Sequence, residues 1–204
     1  MAKVLIFHGS PYNFDEFNSL EHFDKECLLS YNGGMFGHYF YYVEPDVSEE
    51  TINNIVIPEA LRHACKNGTE RGVVNTSGYI YAGIIGTKRF LPTQTKLVLD
   101  DYLQFFGDFY SEERIESIYN SCKNNKEILR RIINLLITEY SNDEVSKILS
   151  ENTGYRGMIE PSFIGFSVLY CWDNTFITKA KLQKVRVHKK TFGSSIQNYQ
   201  FQDL

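Results

Sequence analysis

The chain has 204 residues, of which 43% are apolar and 23% charged, the balance of one globular domain or at most two small ones. That composition excludes a disordered tail, a collagen-like repeat and a membrane bundle, and a net charge of −4 argues against non-specific nucleic-acid binding. Aromatic content is high at 15%, and ten of the aromatics fall between Tyr12 and Tyr42.

Charge is uneven along the chain. Residues 1–50 hold nine acids and two bases, whereas residues 151–204 hold four acids and seven bases. Lys179, Lys181, Lys184, Arg186, Lys189 and Lys190 fall within twelve residues that contain no acid. Such a run reads as a solvated strand edge or terminal arm, or as a contact surface for phosphate or an acidic partner. Cys27, Cys65, Cys122 and Cys171 form no CxxC pair, so no metal site is expected. No basic stretch followed by a long apolar run opens the sequence, and no window is apolar enough to span a bilayer. The expected location is cytoplasmic, with free thiols and no membrane partner.

In chain order, residues 3–7 form a short apolar strand that ends at His8-Gly9-Ser10-Pro11, where Gly and Pro stop it. Gly33-Gly34 mark a turn, and 36–43 is a second strand, so continuously aromatic that both faces should be covered. Ser48 can cap a helix whose first turn holds Glu49 and Glu50. In 71–99 glycines separate short β-branched runs, and 96–99 reads as a strand. The clearest helices are 111–122 and 124–140, the second carrying Ile128, Leu129, Ile132, Leu135 and Leu136 at helical spacing. A third, 143–151, ends at Asn152-Thr153-Gly154. Strand-like stretches follow at 158–159, 166–172 and 184–187. No repeat or low-complexity linker interrupts this order, so the fold class is α+β with a helical middle.

Few general chemistries fit. No G-x-S-x-G elbow supports a serine hydrolase, although His8 with a Ser or Cys keeps a hydrolase reading open. No cysteine sits in an activating context. Gly33-Gly34-Met35-Phe36-Gly37 is glycine-rich, but it feeds a strand and no Lys follows, which disfavours P-loop or Rossmann nucleotide binding.

Taken together, the motifs point elsewhere. His8-Gly9-Ser10 closes the first strand, Gly34-Met35-Phe36-Gly37-His38-Tyr39-Phe40 leads into the second, and Gly154-Tyr155-Arg156-Gly157-Met158-Ile159 precedes an aromatic strand ending in Trp172-Asp173. This ordered set resembles the NAD-dependent ADP-ribosyltransferase superfamily in its His-Tyr-Glu branch, most closely small phage and bacterial members that include anti-CRISPR ADP-ribosyltransferases. The resemblance covers about residues 3–45 and 145–178. Residues 54–140 match nothing in the family and form an atypical middle segment. The fold implied is a split mixed or antiparallel sheet with flanking helices, all within one domain, 1–204.

The resemblance implies roles. His8 would bond a ribose hydroxyl of NAD, the backbone of Gly9 would approach the nicotinamide carboxamide, and Ser10 would hold the nicotinamide ribose. Tyr39 would stack on the positively charged nicotinamide ring, with Phe14 and Phe36 walling the pocket. Breaking the nicotinamide–ribose bond calls for a carboxylate near the 2′-hydroxyl, to balance the oxocarbenium-like charge. The family's Glu would fall at about Ser167 or Val168, so it is missing here. Glu160 is the nearest candidate and Asp173 the runner-up. Arg156 replaces the family's Asp and could hold a pyrophosphate bidentately.

The expected activity is therefore mono-ADP-ribosyl transfer from NAD to a macromolecule, a protein rather than a nucleic acid. The rival expectation is an inactive protein of the same fold that inhibits a partner by occupancy. Each residue also has a plainer reading. His8 and Tyr39 could be core residues, Glu160 a surface carboxylate and Arg156 a solvated turn residue.

Overall fold

The computed structural model describes residues 3–13, 36–43, 47–65, 76–161, 166–190 and 195–203. Among these described residues eight strands form one hydrogen-bonded sheet: β1 (Lys3–Ser10), β2 (His38–Val43), β3 (Ser77–Gly86), β4 (Phe90–Pro92), β5 (Gly157–Pro161), β6 (Ser167–Cys171), β7 (Gln183–Lys189) and β8 (Tyr199–Asp203). Their spatial order is β4-β5-β6-β2-β1-β3-β7-β8, antiparallel throughout except for the parallel β4/β5 pair. The molecule is thus α+β with a mixed sheet.

Helix α1 (Glu49–Thr51) continues through a π-helical stretch, Ile52–Val56, into α2 (Ile57–Ala64). Helices α3 (Leu99–Phe106), α4 (Glu112–Ser121), α5 (Asn125–Glu139) and α6 (Asn142–Thr153) follow β4, and α7 (Asn174–Thr178) follows β6. Local chemistry explains their starts. Ser48 accepts from the Thr51 N–H and Asn124 from the Glu127 N–H, while Ser141 and Glu144 close a capping box on α6.

Alternation along the strands divides the core. On one face of the sheet α2 packs over β1, β3 and β7 with Phe7, Tyr41, Ile80 and Val187. On the same face α3–α6 pack over β4, β5 and β6 with Leu91, Met158 and Tyr170. Tyr39 and Val168 touch both clusters and so mark the seam between them. The opposite face carries Ile6, Phe40, Tyr42, Tyr81, Leu169 and Cys171, with Ile177 of α7.

Several expectations need correcting. The first strand runs on through His8, Gly9 and Ser10 instead of stopping before them. Residues 96–99 are not a strand; Leu99 opens α3, and the Asp101 carboxylate accepts from the Val98 N–H at 2.8 Å. The middle segment 54–140 is not a helical insertion alongside the sheet, because it supplies β3, the direct neighbour of β1, and β4. Phe14 and the turn at Gly33-Gly34 lie outside the described residues.

Candidate functional site

Past the Phe7↔Tyr41 pair, β1 and β2 part. His8, fully buried, fills the opening, and its Nδ1–H donates to the Tyr39 carbonyl at 2.7 Å. A side chain thereby takes over from the backbone ladder. The imidazole lies edge-on to Tyr39, with ring centroids 5.2 Å apart, and tilted against Phe40 and Tyr81 at 5.6 and 6.2 Å. Of the candidate residues, His8 and Tyr39 are therefore brought together.

Gly9 and Ser10 point to opposite faces. Gly9 lies against α2, where an added Cβ would come within 1.7 Å of the Ala60 carbonyl oxygen. Close helix–sheet packing alone requires glycine at this position. Ser10 is buried on the His8 side, and its Oγ accepts from the Tyr12 N–H at 3.0 Å.

Tyr39 sits half-buried in the seam between α2 and the α3–α6 group, with Phe36 partly buried against the latter. Two further rings stand beside it. Tyr41 lies 5.8 Å away and His63 of α2 lies 5.2 Å away, both edge-on. Burial pushes the Tyr41 phenol far above its ordinary range, with Glu59 adding to the shift and Arg62 opposing it.

Glu160 comes to the same face from the other side of the seam. In register it faces Val168 of β6, which in turn faces Tyr41 of β2. Lys126 Nζ of α5 holds both carboxylate oxygens at 2.6 Å, and the Tyr170 hydroxyl donates to one of them at 3.3 Å. The Lys126 and Glu160 side chains are 28% and 31% exposed, so this pair stands at the partly solvated surface rather than in the core. Burial first, and then the Glu160 charge, push the Tyr170 phenol far up, so it stays a donor.

Arg156 is placed apart from this group. It precedes β5 and stands four residues, about 13 Å, along the chain from Glu160. Its guanidinium lies 4.1 Å over the Phe176 ring and 3.6 Å from Asp173 Oδ2. Its carbonyl accepts from the N–H groups of Trp172 and Asp173, which bolts the turn to the end of β6. Asp173 caps α7 by accepting from the Phe176 N–H at 2.9 Å. A cavity of about 360 Å³ opens next to Asp173, lined also by Arg89, Lys147 and Glu151. It is separate from the Tyr39–Glu160 seam.

Reading the sequence missed Lys126, His63, Tyr41 and Tyr170 as neighbours of the site. Lys126 carries no local signal, because only tertiary packing carries the first turn of α5 to β5. Among the described residues no group of three or more His, Cys, Asp or Glu could hold a metal ion, and no helix is long and apolar enough to cross a membrane. Compared with family models, curated proteins and solved structures, the chain matches none of them.

Proposed function

We propose that the chain is a mono-ADP-ribosyltransferase that cleaves the nicotinamide–ribose bond of NAD and passes ADP-ribose to a protein. The observation that carries this reading is the position of Glu160. The acid expected at Ser167 or Val168 is absent from β6, and the strand next to it presents a carboxylate directly opposite Val168, on the face that holds Tyr39 and Tyr41. In this reading the neighbouring strand supplies the acid that β6 lacks, and Tyr39 stacks on the nicotinamide ring. Glu160 holds the 2′-hydroxyl and balances the positive charge that develops on the ribose. His8 fixes the backbone of Tyr39, and so fixes where the ring stands.

Purified protein with labelled NAD should release nicotinamide and label a protein in a lysate. Glu160→Gln, which keeps size and an acceptor for Tyr170, should cut nicotinamide release by about 10²–10³-fold. Wild-type protein that neither consumes NAD nor transfers label would refute the enzymatic reading.

Two observations favour the rival reading, inhibition of a partner by occupancy. Lys126 occupies both oxygens of Glu160, and α2 covers Gly9. Intact-mass measurement of a captured protein partner separates the two: an added ADP-ribose supports transfer, and an unmodified tight complex supports occupancy.

A further inference from the structure

The basic run noted in the sequence is not used by the site above, and its placement is specific. β7 pairs with β3 and β8, and its alternation puts Lys184, Arg186 and His188 on the face away from α2. In register, Arg186 faces Tyr79 of β3 and Gln202 of β8, and His188 faces Ser77 and Gln200. Arg186, Gln200 and Gln202 are exposed, and Tyr79 and His188 are half-buried. Lys184 Nζ stands 6.0 Å from the Tyr79 ring centroid, and His188 Nε2 lies 3.2 Å from Gln202 Oε1. None of these positions on the three strands is an acid, and none is a large aliphatic side chain.

We infer that this outer face of β3-β7-β8 binds single-stranded nucleic acid. Alternate cations on one strand lie about 6.8 Å apart, a spacing that suits successive phosphates of an extended strand. The tyrosine ring between them offers a surface on which a base can stack, and the glutamine amides offer donors and acceptors to base edges. An acidic protein surface would match the charge but would leave the ring and the amides without a role. The overall charge of −4 conceals the face, because acids dominate residues 1–50. Binding is therefore expected at low salt and is expected to weaken as salt rises. The inference does not rest on the transferase reading.

The test is fluorescence anisotropy of the full chain with labelled oligothymidine and oligoadenosine across a salt series. Wild-type protein should bind both, with log K falling by about 0.7 per phosphate neutralised for each decade of salt. Arg186→Gln should reduce that slope by about 0.7. Tyr79→Ala should weaken binding about tenfold while Tyr79→Phe keeps it, because stacking needs the ring and not the hydroxyl. Arg130→Gln, an exposed change on α5, should leave binding intact. Circular dichroism of each variant identifies any that fail to fold. Absence of binding at low salt, indifference to both Arg186→Gln and Tyr79→Ala, or equal displacement by polyglutamate would each overturn the inference; the last would point to an acidic protein instead.

Discussion

At the scale of single residues, two glycines show opposite demands on the backbone. Gly9 has ordinary backbone angles but no room: a Cβ there would meet the Ala60 carbonyl oxygen at 1.7 Å and the Ala64 nitrogen at 2.9 Å. Both are main-chain atoms of α2, so relief means moving the helix. Gly9→Ala should cost more than about 4 kcal/mol, and a thermal melt should show a grossly lowered Tm or no transition. Gly154 has the reverse problem. Nothing lies within 4 Å of its added Cβ, but its φ is +69°. Gly154→Ala should cost only about 1–2 kcal/mol, a fall in Tm of about 2–8 °C. Equal effects of the two substitutions would show that α2 does not pack on β1 as described. The contrast also bears on the motif His8-Gly9-Ser10. Its glycine is explained by packing before any ligand is considered, and its histidine by the opening between two strands.

At the scale of elements, what could be read in advance divides by the origin of the signal. Helices α4, α5 and α6 were legible because each has a local start signal and apolar residues at helical spacing facing the core, Ile115 and Ile118 on α4 and Ile128, Leu129, Ile132 and Leu136 on α5 among them. Strand β3 was not, since Gly78, Gly83 and Gly86 looked like punctuation; Gly78 in fact sits under the Ala64 carbonyl of α2, a constraint visible only once the helix is docked. The run at 96–99 misled because three of its four residues suit a strand, whereas the Asp101 carboxylate stops the chain at Val98 and starts α3. The site divides in the same way. His8, Tyr39 and Glu160 stand near recognisable turns, while Lys126 reaches Glu160 from a helix 34 residues earlier in the chain. The capping box of α6 gives a sharp test at this scale. Ser141→Ala should lower Tm by about 2–4 °C at neutral pH. The Ser141 hydroxyl and backbone N–H hold the Glu144 carboxyl below its ordinary range. That contribution is present above the unfolded value and lost as pH falls through the lower folded one, so the gap between wild type and variant should narrow in acid to what the bond from the Glu144 N–H to the Ser141 hydroxyl contributes.

At the scale of the whole molecule, the aromatic excess sets a limit on the alkaline side. Burial pushes the phenols of Tyr41, Tyr102 and Tyr170 and the thiol of Cys171 far up, the Tyr110 phenol up to about 12 and the Cys65 thiol up to about 11. Each raised group keeps its proton in the folded state after the unfolded chain has released it. Stability is full below the unfolded values and is lost as pH rises toward the folded ones. Denaturant melts should show the free energy of unfolding falling from about pH 9 upward, and a flat profile there would contradict this burial. The strand order has a consequence for synthesis. β2 is a central strand whose partner β6 is made more than a hundred residues later, and until then only its β1 side can pair. A nascent chain therefore exposes His38-Tyr39-Phe40-Tyr41-Tyr42-Val43 as an open, strongly β-forming edge, so the segment that builds the site is also the one most exposed to misassembly before the chain is finished.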